Sequence, residues 1–165
     1  MKDFIISTDY DVHLLQEMWL DGNVHTLQKS LLYSAYFDGL DIQKCASNRD
    51  DQWGLKSCSG LMILSRHPIK EIEFKPFSVG GDFLKVSKDG EWWVQKGIGR
   101  AQIIINDIKI DLFTTHLISY TTTPEADYKK ERYQQTWEAI DEINKSDADI
   151  KIFSGDVNHN AHYER

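Results

Sequence analysis

The chain has 165 residues, of which 41% are hydrophobic and 27% are charged, a composition that fits one folded domain and excludes a largely disordered chain. The formal net charge is −7 at pH 7, so the field of the whole chain repels phosphate backbones and anionic bilayers. An anionic substrate therefore requires a local cation, and we expect a metal ion to supply it.

The cysteine content and the N-terminal residues indicate a reducing, intracellular setting. Only Cys45 and Cys58 occur, and the N-terminus lacks the basic start and the apolar run of a secretory signal. No stretch approaches the roughly 20 apolar residues that span a bilayer, so we expect no transmembrane segment in this chain. The sequence leaves open whether the protein acts at a membrane surface.

Two apolar runs in the first half of the chain predict buried strands. The first, VHLLQEMW (residues 12–19), places Glu17 at its exit, and the second, LMIL (residues 61–64), stops before Pro68. After Pro68 the apolar residues of IKEIEFKPF alternate imperfectly, which predicts a half-exposed strand.

The segments between these strands have other patterns. Residues 24–32 (VHTLQKSLL) carry apolar side chains at helical spacing and predict a short amphipathic helix. Residues 40–59 are polar and rich in turn-forming types, which indicates a loop.

Residues 100–116 (RAQIIINDIKIDLFTTH) predict a β-hairpin. Two isoleucine-rich arms flank Asn106 and Asp107, residue types that tolerate the positive φ of a type I′ turn. The second arm ends at His116, again a polar residue at a strand end.

From Thr123 the pattern changes to that of a long surface helix. Thr123 is the expected N-cap and Pro124 the first helical residue, and the apolar residues expected along one face are Tyr133, Trp137, Ile140 and Ile143. Residues 148–156 then return to a strand, in which we expect Ile150, Ile152 and Phe153 to lie inside. This order predicts a layered α/β protein with mixed parallel and antiparallel strands and helices packed outside.

Three polar clusters lie where predicted strands end: Gln16-Glu17, Thr115-His116 and Asp156-Val157-Asn158. Strand ends at one edge of an α/β sheet converge on a crevice where ligands bind, so we expect these clusters to be neighbours. A carboxylate on Mg²⁺, an acid that orients a water molecule and donors for phosphate oxygens form a set suited to phosphoester hydrolysis.

Each cluster also has a purely structural interpretation. Glu17 fits a surface acid after a strand, His116 fits a hydrogen-bonded core histidine, and Asp156 and Asn158 fit turn formers. The residues taken one cluster at a time leave both interpretations open.

Five motifs stand in a fixed order along the chain: LLQEMW, SGLMILSRHPI, KGIGRAQI, IDLFTTHL and GDVN. In this order they resemble the endonuclease/exonuclease/phosphatase superfamily, and their fuller wording resembles its neutral sphingomyelinase branch. The resemblance covers nearly all of the chain. It implies a four-layer α/β sandwich of the DNase I-like type, with two mixed sheets flanked by helices, in one catalytic domain over residues 1–165 that is incomplete here.

The resemblance implies a role for each polar strand end. Glu17 matches the magnesium-binding glutamate, and His116 matches the histidine that helps to stabilise the phosphate. Asp156 matches the aspartate that orients or deprotonates the attacking water, and Asn158 matches the asparagine that hydrogen-bonds the phosphate. We expect Asp156 and Asn158 to face the same cleft, because positions two apart in an extended segment share one side.

One further segment, DGEWWVQKGIG, resembles a loop of animal neutral sphingomyelinases that carries an acid and a lysine five positions apart. The pair here is Glu91 and Lys96, with Glu91 in place of the usual aspartate, and the resemblance implies contact of Lys96 with the lipid phosphate. Trp92 and Trp93 fit either the lipid interface, where indole rings are favoured, or a half-buried strand. A zinc site at His159, His162 and Glu164 is not expected, because no cysteine accompanies them.

Two segments of the family pattern are not found in the sequence. One is a first strand with a metal-holding asparagine, and the other is a closing Ser-Asp-His segment with a catalytic histidine. We therefore expect these residues to be part of a longer enzyme and the chain alone to be inactive, since loss of a principal acid or base costs on the order of 10²- to 10⁴-fold in rate.

For the intact protein the resemblance implies Mg²⁺-dependent hydrolysis of sphingomyelin, or a related choline phospholipid, to ceramide and phosphocholine at a membrane surface. A nuclease or inositol-phosphate phosphatase of the same superfamily is one alternative, although the acidic net charge speaks against nucleic acid as a partner. The other alternative is a non-catalytic remnant that binds lipid surfaces or proteins.

Overall fold

The structure of the chain is a computed structural model that describes residues 2–19, 21–29, 32–37, 59–81, 91, 94–119 and 128–159. Several predictions fall outside the described residues: the positions of Cys45, Cys58, Trp92, Trp93, Thr123, Pro124, His162 and Glu164, and nearly all of the loop at 40–59.

The described residues form three helices and seven strands. The helices are α1 (Lys2–Ser7), α2 (Asp21–Gln28) and α3 (Lys129–Lys145). The strands are β1 (Val12–Leu15), β2 (Tyr33–Phe37), β3 (Leu61–Ser65), β4 (Ile69–Pro76), β5 (Gly97–Ile105), β6 (Ile108–His116) and β7 (Ile150–Asp156). Of these, α1 and β2 were not predicted from the residue pattern.

The strands form two sheets. The first has the order β1-β3-β2 and both of its pairings are antiparallel. The second has the order β4-β5-β6-β7, and its β6–β7 pairing is parallel while the other two are antiparallel. The prediction of mixed strands is therefore confirmed for the second sheet, whereas the described part of the first sheet is antiparallel throughout.

Hydrophobic clusters hold these elements in layers. Ile63 of β3 packs with Leu112 of β6 between the two sheets, and the neighbouring Met62 packs against α1 and α2 on the other face of its sheet. Phe113 packs with Ala139 of α3 on the outer face of the second sheet. Two facing sheets with helices outside them are the layered arrangement that the sequence predicted.

The β5–β6 hairpin is confirmed, including its turn. Asn106 and Asp107 have φ values of 50° and 66°, as a type I′ turn requires at both central positions. The turn sets the register so that Ile105 pairs with Ile108, and the pairing continues along the arms to Ile98 and Thr115.

The buried face of α3 differs from the one expected. Tyr133 is 61% exposed and Trp137 is 52% exposed, whereas Arg132 and Gln135 are fully buried. The polar pair is buried because the Arg132 guanidinium donates to the Ser119 carbonyl and the Gln135 amide hydrogen-bonds backbone groups. The prediction of one apolar face along Tyr133, Trp137 and Ile140 is therefore wrong as a packing face.

The apolar side chains of β7 were expected inside the protein, and this prediction is also wrong for the described residues. Ile150, Ile152 and Phe153 are 44%, 43% and 43% exposed. The physical reason is that β7 is an edge strand there, paired only with β6 on one side.

Among the helices of the described residues, none combines the length and the apolar character of a membrane span.

Candidate active site

The polar residues that follow β1, β6 and β7 meet at one end of the two-sheet core. His116 and Asp156 are the last residues of two parallel strands and pair in register. Glu17 follows β1 in the other sheet, and the Gln16 side chain donates a hydrogen bond of 3.0 Å to the Thr114 hydroxyl across the two sheets. The expected convergence is present, although the strand ends come from two sheets rather than from one edge.

The His116 ring lies between two carboxylates. Nδ1 is 3.7 Å from Oε1 of Glu17, and Nε2 is 3.9 Å from Oδ2 of Asp156. The histidine side chain is 7% exposed, whereas those of Glu17 and Asp156 are 67% and 54% exposed. Both distances are longer than a hydrogen bond, and Nδ1 has no hydrogen-bond partner among the described residues. The ring therefore lies near both acids, but neither acid forms a hydrogen bond with it.

Lys96 and Glu91 form a buried ion pair beside this histidine. Nζ of Lys96 is 3.6 Å from Oε2 of Glu91, and Oε1 of Glu91 accepts the backbone N–H of Ser119 at 3.1 Å. The ammonium is also attracted by the charges of Glu17 and Asp156, which places it in the same electrostatic cluster. Contact of Lys96 with a phosphate stays a prediction.

Burial controls the protonation of both basic residues. It lowers the pKa of Lys96 below that of a free lysine, and the nearby carboxylates, Glu91 first, oppose that change only in part. Burial also lowers the pKa of His116, and the positive charge of Lys96 acts in the same direction. A histidine with a lowered pKa is neutral at pH 7, so one ring nitrogen donates a hydrogen bond and the other accepts one.

The chain turns after Asp156 instead of continuing as an extended strand. Asn158 has a φ of 50°, its backbone N–H donates to Oδ1 of Asp156 at 2.9 Å, and its side-chain amide donates to the Leu117 carbonyl at 2.9 Å. The prediction of an extended segment is therefore wrong at Asn158, whereas the contact of its amide with a phosphate stays a prediction. The turn-forming interpretation holds for this pair, and the same turn leaves Oδ2 of Asp156 toward His116.

Trp19 contributes to the cluster in a way that the sequence analysis did not predict. Its indole Nε1 donates a hydrogen bond of 3.2 Å to Oε2 of Glu17, and its ring centroid lies 6.5 Å from that of His116. The sequence feature that could have indicated this contact is the position of Trp19 two residues after Glu17 in LLQEMW.

Glu17 carries the carboxylate to which the sequence analysis assigned a magnesium ion. Mg²⁺ at phosphate-processing sites commonly takes one or two carboxylates and completes its shell with water and substrate oxygens. Glu17 offers one exposed, hard oxygen ligand, Oε1, on the side of the unpaired Nδ1 of His116. In the part of the chain that the structure describes, no group of three or more His, Cys, Asp or Glu residues is placed to hold an ion. The described residues thus offer an ion one exposed carboxylate oxygen, and magnesium binding at Glu17 stays a prediction.

No family model matches this chain, but curated proteins do. Sphingomyelin phosphodiesterase 2 of Mus musculus is 27% identical over 160 residues, which cover 96% of this chain and 35% of that protein. A Drosophila melanogaster protein named as a neutral sphingomyelinase is 27% identical over 160 residues, covering 93% of this chain and 33% of that protein. The chain spans about a third of the length of the curated relatives it matches.

Solved structures match over almost all of this chain and over somewhat more than half of their own. Sphingomyelinase C from Streptomyces griseocarneus matches with a TM-score of 0.70 at 19% identity. The match covers 99% of this chain and 58% of the sphingomyelinase chain. Beta toxin from Staphylococcus aureus with bound magnesium ions has a TM-score of 0.69 at 22% identity, with coverages of 97% and 57%. D. rerio TDP2 with a single-strand DNA product has a TM-score of 0.64 at 20% identity, with coverages of 96% and 52%.

The structural matches establish a two-sheet α/β fold of the DNase I-like type, and the sequence matches agree with the motifs. The resemblance that the motifs indicated is thus confirmed, and this chain is related to the neutral sphingomyelinases over nearly its whole length.

Proposed function

We propose that this chain is part of a Mg²⁺-dependent phosphodiesterase that hydrolyses sphingomyelin, or a related choline phospholipid, to ceramide and phosphocholine at a membrane surface. The observation that carries the proposal is the cluster of Glu17, His116 and Asp156, in which both ring nitrogens of the histidine lie within 4 Å of a carboxylate. These residues come from two sheets, and the motifs assign a role in phosphodiester hydrolysis to each of them.

The residues would divide the work as follows. Asp156 orients the attacking water by accepting its proton or a hydrogen bond through Oδ2, because Oδ1 is already bonded to the Asn158 backbone. His116, neutral at pH 7, donates a hydrogen bond to a phosphate oxygen, and Asn158 adds an amide at the same end of the sheet. Glu17 would hold the magnesium ion, which supplies positive charge beside the phosphate when bound.

The charge balance of the cluster supports this division. Three carboxylates, Glu17, Glu91 and Asp156, surround a single lysine ammonium and a histidine that is neutral at pH 7. A phosphodiester brings one more negative charge to this position, which the cluster by itself repels. Added cationic charge is therefore needed for substrate binding, and an oxygen-ligated divalent cation at Glu17 provides it.

The activity belongs to a longer protein in this proposal, since the chain matches only about a third of the curated relatives. We propose that the relatives' remaining length completes the four-layer sandwich and brings the asparagine and the Ser-Asp-His histidine of the family pattern. The 165-residue chain alone then lacks a principal acid or base and should hydrolyse little or no lipid.

Hydrolysis of nucleic acid is the second candidate. It is favoured by the fold shared with TDP2, which was crystallised with a single-strand DNA product. The net charge of −7 and the acids around His116 oppose it, because DNA binding normally brings a basic face. An inositol-phosphate phosphatase is a further superfamily alternative without a specific observation in its favour.

The test is to express the longest protein that contains these residues and to measure phosphocholine release from sphingomyelin vesicles with Mg²⁺ and with a chelator. Release that requires Mg²⁺ and falls at least a hundredfold in His116→Ala is the expected result. Nicking of plasmid DNA without phosphocholine release would replace the proposal by the nuclease alternative. Vesicle binding without any hydrolysis would instead favour the non-catalytic alternative.

A further inference from the structure

The backbone of Glu17 has a conformation that a non-glycine residue adopts only at a cost. Its φ of 62° lies in the left-handed region, where the Cβ atom of a non-glycine residue is crowded by the backbone. The next residue, Met18, holds the turn through both of its backbone groups. Its N–H donates to the Gly60 carbonyl at 2.9 Å, and its carbonyl accepts the Tyr36 hydroxyl at 3.1 Å. The turn that carries the Glu17 carboxylate is therefore held by hydrogen bonds to Gly60 and to Tyr36.

The indole of Trp19 lies directly against the backbone of Gly60. A Cβ atom added at Gly60 would be 2.6 Å from two carbon atoms of the indole ring, much closer than carbon atoms approach each other. Gly60 also has a φ of +68°, a conformation that favours glycine. The lack of a side chain at position 60 is thus what allows the indole to occupy this place.

From this place the indole reaches both Glu17 and His116. Nε1 donates to Oε2 of Glu17, which leaves Oε1 of the same carboxylate on the side of His116 at 3.7 Å. The indole and imidazole rings are 6.5 Å apart and tilted by 42°. A carboxylate with one oxygen tied in this way loses rotational freedom about its last bond, although the side chain is largely exposed.

We propose that Trp19, seated on Gly60, is a positioning residue that orients Glu17 for a divalent cation through the bond from Nε1 to Oε2. The inference rests on the proposed magnesium role of Glu17 and adds the group that aims its free oxygen. Hydrogen-bond partners of metal-ligating carboxylates commonly change metal affinity by about 10- to 100-fold. Because Glu17 is exposed, we expect the lower end, about tenfold.

The first test compares two single substitutions of tryptophan in the longest protein that contains these residues. Trp19→Phe keeps an aromatic ring and removes the N–H donor, and Trp137→Phe makes the same change on the exposed face of α3. Binding of Mn²⁺, an oxygen-preferring stand-in for Mg²⁺ that electron paramagnetic resonance detects directly, is titrated for each protein. We expect affinity to fall about tenfold in Trp19→Phe and to stay unchanged in Trp137→Phe, with circular dichroism spectra alike.

A spectroscopic readout on the same proteins separates positioning from packing. A cation on Oε1 of Glu17 changes the electric field at the neighbouring indole, so Mg²⁺ should alter the tryptophan emission of the unsubstituted chain and of Trp137→Phe. The emission change should be absent in Trp19→Phe. Gly60→Ala, which displaces the indole by crowding it, should weaken Mn²⁺ binding in the same direction even though Nε1 is retained.

Glu17→Gln distinguishes the failure of this inference from the failure of the proposed function. If Glu17→Gln removes Mn²⁺ binding while Trp19→Phe leaves the affinity unchanged, Glu17 holds the ion and the positioning role is overturned. If Glu17→Gln also leaves binding unchanged, or if the unsubstituted longest protein does not bind Mn²⁺, the metal role assigned to Glu17 fails and the positioning role fails with it.

Discussion

The β5–β6 hairpin carries a buried titratable side chain toward each of its two ends, and the two side chains differ in how completely their surroundings satisfy their hydrogen-bonding capacity. Asp111 lies toward the turn and is fully buried, and His116 lies at the open end of the same strand. Three polar side chains lie within 2.9 Å of the Asp111 carboxylate oxygens, whereas the acids beside His116 are 3.7 Å and 3.9 Å from its ring nitrogens. The contrast separates a group that holds the fold together from one that is available to a ligand.

At the Asp111 end the contacts are short. Nε of Arg100 is 2.9 Å from Oδ2, the Gln102 amide donates to Oδ1 at 2.9 Å, and the Ser146 hydroxyl donates to Oδ2 at 2.7 Å. Arg100 also pairs with Glu71 on β4. This network joins β4, β5, β6 and the end of α3, and it satisfies the buried carboxylate.

At the His116 end the contacts are longer and one buried atom has no hydrogen-bond partner. The two acids are 3.7 Å and 3.9 Å from the ring nitrogens, and Nδ1 has no partner among the described residues. The ring nitrogens of His116 therefore keep hydrogen-bonding capacity for a ligand, whereas both oxygens of Asp111 already accept hydrogen bonds. The comparison therefore predicts that substitutions at the two ends affect different measurements.

The largest expected effect is on catalysis at the open end. Asp156→Asn in the longest protein containing this chain should lower phosphocholine release by about 10²- to 10⁴-fold, because the amide cannot accept the proton of the attacking water. The half-exposed position should limit the change in unfolding free energy to within about 0.5 kcal/mol. Asp141→Asn, at an exposed acid of α3, is the matched control and should leave the rate unchanged. A full rate in Asp156→Asn would remove Asp156 from the mechanism.

The next effect is on stability at the turn end. Asp111→Ala should lower the free energy of unfolding by about 3 kcal/mol, because it removes the buried carboxylate that Arg100, Gln102 and Ser146 contact. Urea denaturation measures the change. Glu71→Ala removes an exposed partner of the same arginine and should cost well under 1 kcal/mol. Equal losses for the two substitutions would contradict the assignment of the turn-end network as the structural one.

The smallest effect is a dependence of stability on pH at the open end. Burial lowers the pKa of His116, so the folded chain binds its proton less readily than the unfolded chain. The contribution of the neutral ring is fully present above the unfolded pKa of about 6.5 and declines as pH falls toward the lower folded pKa, by at most about 1.4 kcal/mol per pH unit.

Urea denaturation between pH 7.5 and 5.5, with a chelator present, measures this slope. His116→Gln cannot titrate and should show a flatter dependence than the unsubstituted chain, while the other histidines contribute equally to both. A stability that rises as the pH falls in the unsubstituted chain relative to His116→Gln would show that the folded pKa is raised, and would place His116 in a firm ion pair with its acids.

The elements that could be predicted are those whose conformation follows from the preferences of neighbouring residues in the sequence. The β5–β6 hairpin follows from isoleucine-rich arms around Asn106 and Asp107, and β3 follows from an apolar run that ends before Pro68. The strand β2 was missed because its five residues, YSAYF, form a short run in which only Ala35 and Phe37 are fully buried and Tyr36 packs in part against the other face.

The wrong assignments share a cause, which is that burial depends on neighbours distant in sequence. Arg132 and Gln135 are buried because they hydrogen-bond the backbone at Ile118, Ser119 and Val79, groups that no helical periodicity reveals. Ile150 and Ile152 are exposed because β7 has only one described neighbour in its sheet. A rule based on hydrophobicity alone would expose Arg132 and Gln135 and bury Ile150 and Ile152, the reverse of what the structure shows.

By itself, the sequence determined the resemblance to the neutral sphingomyelinases, the strands that end in polar residues and the residue types at those strand ends. Ordered motifs and short-range turn preferences are properties of local sequence, and they need no knowledge of packing. Only the tertiary structure decided that Glu17 reaches His116 from the other sheet, that Asn158 belongs to a turn, and that Trp19 occupies the space left by Gly60. Those relations depend on distances between segments far apart in the chain, which sheet register and core packing set together.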